Sequence, residues 1–384
     1  YNLFVTKDSE GLPKFARAWK AGPPGNQVYL GYAGRGRWGW QGVGAAEGLL
    51  ATVQLLERHL GVPVEWSSGH MGTALLKLLW QKKPGMILDV ARDLRDLPFG
   101  LAARDILFRR ALTTAMIGMT LHVYDKNSAY LSACRGLARM GVGEPSHLVA
   151  REGGEPIRPG LPGIYRVTLR DAGWRDACFD GELLPPLLEE GQEWITNDLL
   201  LYVLGRGMPL HLHEAWVFRD YAPILDKWAK TLWDARARLR LAMATFPQRQ
   251  AERDAYATVG EIAHVSVGGF AASKEVHPSR RMIHPNWWAD VVSKARINQL
   301  CNLESLAAGA GAPVLVYSDG VYYASRDPNP HSAVPGILDR QAELGGYKHV
   351  YSLPISAALV WASEGLTPSE LVALFRQEAA RHES

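Results

Sequence analysis

Two short stretches carry residues able to do chemistry together. In "HVYDKNSAYLSA", residues 122–133, an apolar run ends on one acid, Asp125, and a hydroxyl and an aromatic follow, Ser128 and Tyr130. In "PVLVYSDGVYYAS", residues 313–325, an apolar strand turns at Ser318, Asp319 and Gly320 and returns as an aromatic one, the pattern of a hairpin. If these strands are neighbours, Asp125 and Asp319 converge at one edge of a sheet. Two converging carboxylates repel each other unless a cation lies between them, so a divalent-metal site is the natural expectation. Mg²⁺ takes one or two protein carboxylates and completes its shell with water and phosphate oxygens, and Mn²⁺ suits the same oxygen donors. Two such ions can clamp an in-line phosphoryl transfer. Plainer readings stand beside this one: Asp125 as the cap of a following helix, Asp319 as a turn-former, Tyr130 as a core aromatic.

The elements that must position these residues belong to a chain of 384 residues, enough for two or three compact units. Hydrophobic content of 47% with 21% charged residues describes an ordinary globular protein and excludes a disordered one. No apolar run approaches the roughly 18 residues needed to span a bilayer, so no membrane role is expected. Cys134, Cys178 and Cys301 lie far apart and are odd in number. They argue against a disulfide framework or a zinc cluster and suit a reducing cytoplasm. The start at Tyr1, without Met, is expected of a trimmed or processed product. Net charge is only +3, but "KWAKTLWDARARLRLAMATFPQRQAERD" gathers Lys227, Lys230, Arg236, Arg238, Arg240, Arg249 and Arg253. Such a stripe can neutralise phosphates, and it can equally be a solvated helix face.

Residues 1–110 read as a separate α/β unit. Short strands at "YNLFVT", "KFARAWK" and "QVYLGYA" precede a Gly-rich loop and a helix stopped by Gly61; "VPVEW" reads as a strand, "MGTALLKLLWQKK" as a helix and "GMILDV" as a strand. That order is the one found in a ribonuclease-H-like domain. A helix is expected over "ARDILFRRALTTAMIG", residues 103–118, then strands at "GIYRVTL" and "LHEAWVF" and a helix capped by Thr196 or Asn197. Two long helices follow from about 222 to 263, broken near Phe246-Pro247, then an amphipathic helix over 284–307 and helices after about 355. Glycines 34, 36, 39, 42 and 44 keep neither a G-x-G-x-x-G pattern nor a Walker lysine and read as loop. His211, His213, His264, His277 and His284 show no metal-ligand spacing.

"YDKNSAYL" resembles motif A of the family B DNA polymerases, D-x-x-S-L-Y-P, with Asp125, Ser128 and Tyr130 in register and Leu131 in place of the proline. "VYSDGVYY" resembles their motif C, D-T-D-S, with Asp319 on the second Asp, Tyr317 on the first and Gly320 on the serine. The resemblance covers about residues 100–350, follows the order of phage-like and protein-primed members, and is most specific at motif A. It implies an α+β right-hand polymerase. Residues 1–110 would form a ribonuclease-H-like exonuclease-type domain, 111–216 palm, 217–272 helical fingers, 273–338 palm and 339–384 thumb. It implies Asp125 and Asp319 as catalytic metal ligands, with the Lys126 backbone completing the shell. Ser128, Tyr130, Arg236, Arg240 and Ser266 would bind the deoxynucleoside triphosphate, Tyr130 as the steric gate that rejects a 2′-hydroxyl.

Motif B, K-x-x-x-N-S-x-Y-G, has only "EIAHVSVGGF" as a counterpart. Ser266 and Gly269 fit, but Glu261 stands for the lysine, Val265 for the asparagine and Gly268 for the tyrosine. A glutamate there repels a triphosphate, so Arg249, Arg253 or Lys274 would have to substitute, or activity would be altered or lost. "ELGGYKHVYSLP" resembles the segment leading into the thumb, which makes Lys348 and Tyr347 candidates for DNA contact. At the N-terminus Asp8-Ser9-Glu10 spells the D-x-E of a proofreading site, but neither Glu65 nor Asp89 completes an acid set, so that domain is expected to be inactive. The expected function is DNA polymerase-like nucleotidyl transfer on to a 3′ or protein hydroxyl, with Mg²⁺ or Mn²⁺ as cofactor and DNA as template and primer. A terminal or priming protein is the further expected partner. A catalytically inactive polymerase-fold DNA-binding protein is the alternative, and a metal-dependent nuclease lacks its acid cluster.

Overall fold

The computed structural model describes residues 2–7, 13–19, 27–30, 45–65, 68–84, 94, 96–103, 107–150, 157–169, 193–208, 210–246, 249–271, 283–310 and 312–383, the first three segments as backbone only. Strands β1 (Asn2–Lys7), β2 (Pro13–Trp19) and β3 (Gln27–Leu30) come first, then helices α1 (Ala45–Leu60) and α2 (Ser68–Leu79). Next come β4 (Leu107–Arg109), β5 (Thr120–Lys126), α3 (Ala129–Gly136), β6 (Ser146–Val149), β7 (Gly163–Leu169), β8 (Trp194–Thr196), α4 (Asn197–Gly205) and β9 (Leu210–Val217). The rest is α5 (Asp226–Thr245), α6 (Gln250–Phe270), α7 (Pro285–Ala310), β10 (Leu315–Tyr317), β11 (Gly320–Ser325), β12 (Tyr347–Pro354), α8 (Ala357–Ala362) and α9 (Pro368–Glu383). The chain divides into two units: residues 1–95, 137–143 and 222–288 form one, and 96–136, 144–221 and 289–384 the other.

In the first unit β1, β2 and β3 form an antiparallel meander, and α1 and α2 pack on α5 and α6. The packing follows from sequence periodicity. On α5 the buried residues Trp228, Ala229, Leu232, Ala235 and Leu239 share one face, leaving Lys227, Lys230, Arg238 and Arg240 outside. Buried indole N–H groups complete the contact, Trp228 donating to the Gly72 carbonyl and Trp80 to that of Ile224, each at 3.0 Å. The strand expected at 62–66 does not form over 62–65. Pro63 offers no donor, and the Val64 amide is taken by the Glu57 carboxylate of α1 at 3.3 Å instead of by a neighbouring strand. The 85–90 strand, the Gly-rich loop, Asp8-Ser9-Glu10, Asp89, Cys178, Lys274 and His277 lie outside the described residues.

The second unit is built on a five-stranded sheet of order β12-β5-β11-β10-β4, with antiparallel pairing throughout. The helix expected over 103–118 is corrected by β4: Leu107, Phe108 and Arg109 pair with Tyr317, Val316 and Leu315 as the sheet's edge strand. Local apolar spacing there yielded to a long-range ladder. Alternation sorts the side chains to two faces. Tyr124, Val321, Tyr323 and Tyr347 join one core with Leu300 and Leu303 of α7 and with the second sheet, β6-β9-β7-β8. Leu121, Val123, Tyr322 and Leu353 join another with Leu359 of α8 and Phe375 of α9. Thr196 caps α4, its hydroxyl accepting the Leu199 amide. Among the described residues no helix is long and apolar enough to cross a membrane.

The α2–α6 seam is close enough to test. A Cβ on Gly72 would stand 1.9 Å from Ser266 Oγ. Gly72→Ala is expected to lower stability by about 1–3 kcal/mol in denaturant unfolding, as overpacking does. Pairing it with Ser266→Gly, which moves the small residue across the seam, should recover most of that loss.

Candidate functional site

The carboxylate of Asp125 belongs to the penultimate residue of β5, in a row of three strands: Gly320 of β11 is its partner on one side and Lys348 of β12 on the other. Asp319 precedes Gly320 at the hairpin tip, and the Lys126 amide donates to the Asp319 carbonyl at 3.3 Å. Asp319 is thus a turn residue opposite Lys126, one position beyond the Gly320–Asp125 pair, and the two acids belong to the same end of the sheet. The turn's central residues are Ser318 and Asp319, between the paired Tyr317 and Gly320. Among the described residues only Ser318, at φ 54°, and Ser128, at φ 56°, are non-glycine positions of positive φ. One adjoins Asp319 and the other follows Asp125 by three. Backbone strain of about 1–3 kcal/mol per residue collects at these two acids.

Positive charge has gathered around them. Lys348 Nζ lies 3.0 Å from Asp125 Oδ2. Across the sheet, on the opposite face, the Lys126 side chain is buried, with its ammonium 5.5 Å from the Tyr347 ring centre. Burial pushes the Lys126 pKa down to about 7, while the Asp319 carboxylate and the Cys301 thiol act to hold it up. Burial likewise raises the Tyr347 phenol, and Tyr323, Asp319 and Asp125 add to that rise.

A strap from Arg340 to Tyr347 fixes the entry to β12. The Asn127 amide donates to the Gly346 carbonyl, the Gly345 amide donates to the Asn127 carbonyl, each at 2.8 Å, and Asn127 Nδ2 donates to the Glu343 carbonyl. Only glycine fits at 346, where a Cβ would meet the Arg340 carbonyl oxygen at 1.8 Å. Sequence reasoning missed Asn127, Gly345 and Gly346. The one signal was the Gly-Gly pair ahead of the strand.

The other expected site residues are placed as follows. Tyr130 is the second residue of α3 and half-buried, and Ser128 lies in the turn before that helix. Arg240 is exposed on α5. Arg236 is turned on to α6, its guanidinium 4.4 Å from the Tyr256 ring centre, so it does not face outward as a phosphate grip would. Ser266 is a correction: its side chain is buried in the α2–α6 seam, and its hydroxyl has no hydrogen-bond partner among the described residues. Tyr347 is a second correction, buried with its hydroxyl donating to Gln299 Oε1 at 2.8 Å and closed to DNA. Of the cations weighed against Glu261, Arg249 pairs with Glu252 and Arg253 bonds Gln250.

Among the described residues no three His, Cys, Asp or Glu side chains cluster to hold a metal. A cation here would rest on Asp125, Asp319 and the Lys126 carbonyl, with water and phosphate for the remainder, which is the oxygen-rich, protein-poor shell that suits Mg²⁺. The fit is supported by Lys348, whose ammonium already sits on Asp125 where positive charge is wanted.

No family model matches the sequence, and no curated protein does. Among solved structures, Phi29 DNA polymerase complexed with single-stranded DNA is similar in fold, at a TM-score of 0.51 and 12% identity over 81% of this chain and 55% of that one. The same polymerase complexed with primer-template DNA gives the same figures. Its ternary complex with primer-template DNA and incoming nucleotide substrates gives 0.51, 13%, 81% and 56%. The chain thus has a polymerase-like fold and spans little more than half the length of these neighbours.

Two outcomes follow from the charges. The unfolded chain holds the Lys126 proton up to pH 10.5, whereas the folded chain releases it near 7. Stability therefore rises with pH across that window, and below it the cost of burying the charge, on the order of a few kcal/mol, is fully present. Lys126→Met in metal-free buffer should raise the melting temperature most below pH 7, with the gain shrinking steadily toward pH 10. The Lys348–Asp125 pair is 53% and 34% exposed, so Lys348→Met should move stability by no more than about 1 kcal/mol. The same change should tighten Mg²⁺ binding several-fold by calorimetry, because it removes a competitor for Asp125.

Proposed function

We propose that the chain is a polymerase-fold nucleotidyltransferase that adds deoxynucleotides to a 3′ or protein hydroxyl on a DNA template. One observation carries the proposal: Asp125, at the end of β5, and Asp319, in the neighbouring hairpin turn, belong to the same end of one sheet, with the Lys348 ammonium 3.0 Å from Asp125. The fold likeness to a DNA polymerase seen with DNA and nucleotides supports it.

In this reading Asp125, Asp319 and the Lys126 carbonyl hold Mg²⁺ or Mn²⁺. The metal, when bound, supplies charge stabilisation for the attacking and leaving oxygens of an in-line displacement. Tyr130 lies under the sugar and excludes a 2′-oxygen, with Ser128 beside it. Of the residues expected to bind the triphosphate from α5 and α6, Arg240 alone is exposed. Lys348, released from Asp125 when a divalent cation takes its place, turns to the backbone of the primer strand.

A second reading, DNA binding without turnover, is favoured by Glu261 in place of the motif B lysine and by the burial of Ser266. Primer extension separates the two. The expected result is incorporation with Mg²⁺ or Mn²⁺ that falls at least about a hundredfold in Asp125→Ala and in Asp319→Ala, as loss of a transition-state charge contact does, while DNA binding persists. Absence of incorporation with any primer or none, alongside salt-sensitive DNA binding that survives Asp319→Ala, would leave the binding protein as the answer.

A further inference from the structure

On the face of the sheet away from Asp125 lies a cavity of about 370 Å³ that neither the metal site nor the nucleotide site uses. Its floor is the Lys126 side chain, only 4% exposed. Among the described residues that ammonium has no hydrogen bond or ion pair; it has the Tyr347 ring at 5.5 Å and the field of Asp319 and Cys301. A buried charge left this way is costly, and a bound counter-charge removes the cost. The lining holds no carboxylate: Asn298 offers an amide and Ser132 a hydroxyl, while the Asn302 side chain bonds the Tyr347 hydroxyl and the Ser305 hydroxyl donates to the Asn302 carbonyl. Arg340 stands at the rim, paired there with Glu343 at 2.5 Å.

Leu306, Ile337 and Leu344 also line the cavity, Ile337 as part of the core beneath it. The volume falls within the usual range of small-molecule sites, roughly 300–1,000 Å³, which a bare oxyanion leaves mostly unfilled. Cys301 and Ser305 are exposed and mark an open mouth, so a ligand can enter without unfolding the strap. A dianionic head for Lys126 and the Asn298 amide, joined to an apolar body for the leucines and isoleucine, is the ligand these walls select. Lys126 and Tyr347 are opposite one another across β5 and β12, so the cavity is anchored to the same two strands that carry Asp125 and Lys348.

We infer that this cavity binds a small phosphate monoester, its phosphate on the Lys126 ammonium and its organic part against Leu306, Ile337 and Leu344.

The exposed thiol at the mouth reports occupancy. The rate of Cys301 alkylation is measured on the full chain, without metal or DNA, so that failure here says nothing about nucleotidyl transfer. Phenyl phosphate, inorganic phosphate and phenol are compared at matched ionic strength, with Cys301→Ser identifying the signal. Phenyl phosphate should slow the reaction several-fold, inorganic phosphate less and phenol not at all. The protection should vanish in Lys126→Met, and also in Ser305→Trp, a change at an exposed position that blocks the mouth while leaving the fold intact. Protection by the ester no greater than by inorganic phosphate, protection that survives both variants, or none at millimolar ester overturns the inference.

Discussion

Two carboxylates at one end of a sheet set the terms for what surrounds them. Asp125 in β5 and Asp319 in the turn before β11 are brought there by a ladder of backbone bonds that has no regard for their charge, and each has a lysine to meet it. Lys348 meets Asp125 on one face at 3.0 Å, and the buried Lys126 ammonium feels the charge of Asp319. The two responses differ in kind. Lys348 is half in solvent and can exchange with another cation at little cost. Lys126 is buried beside the Tyr347 ring and is not replaced by a solvent cation.

The strap before β12 shows how the backbone serves that arrangement. Asn127 spends both its amide and its carbonyl on Gly346 and Gly345, so the chain just beyond Asp125 cannot move without moving the entry to Lys348. The strained Ser128 and Ser318 bracket the same few residues. Strain held by a surrounding network is what preorganisation looks like in a static structure.

How much of this was legible depends on range. The hairpin at 315–325, the paired helices α5 and α6 and the cap at Thr196 rest on local patterns, and those patterns were sufficient. The edge strand β4 was misread as helix because its pairing partner, β10, is some two hundred residues away. Asp125 and Asp319 stood out because each ends an apolar run, and the ladder brings them to one end of the sheet. Ser266 and Tyr347 sat in motif-like positions, yet their burial is decided by Gly72 and Gln299, residues that no motif contains. The Lys348–Asp125 pair was hidden for the same reason: a cross-strand partner is a fact of register. At 12% identity to the polymerase of like fold, register carries what residue type no longer does.

That register has a single weak point. Between His349 and Tyr351 the pairing of β12 with β5 slips, so Val350 is an extra residue that bulges out of the ladder. On the near side of it the strand gives Tyr347 to the core and Lys348 to the acids. On the far side Leu353 lies in the other core. Parity along a strand is counted from whichever end is anchored, and here both ends are. His349 pairs with Tyr124 and Tyr351 with the next residue, Val123, so deleting Val350 alone would leave both anchored ends in phase and only straighten the strand. Val350 is therefore the one position of β12 whose loss costs neither the aromatic in the core nor the ammonium on Asp125.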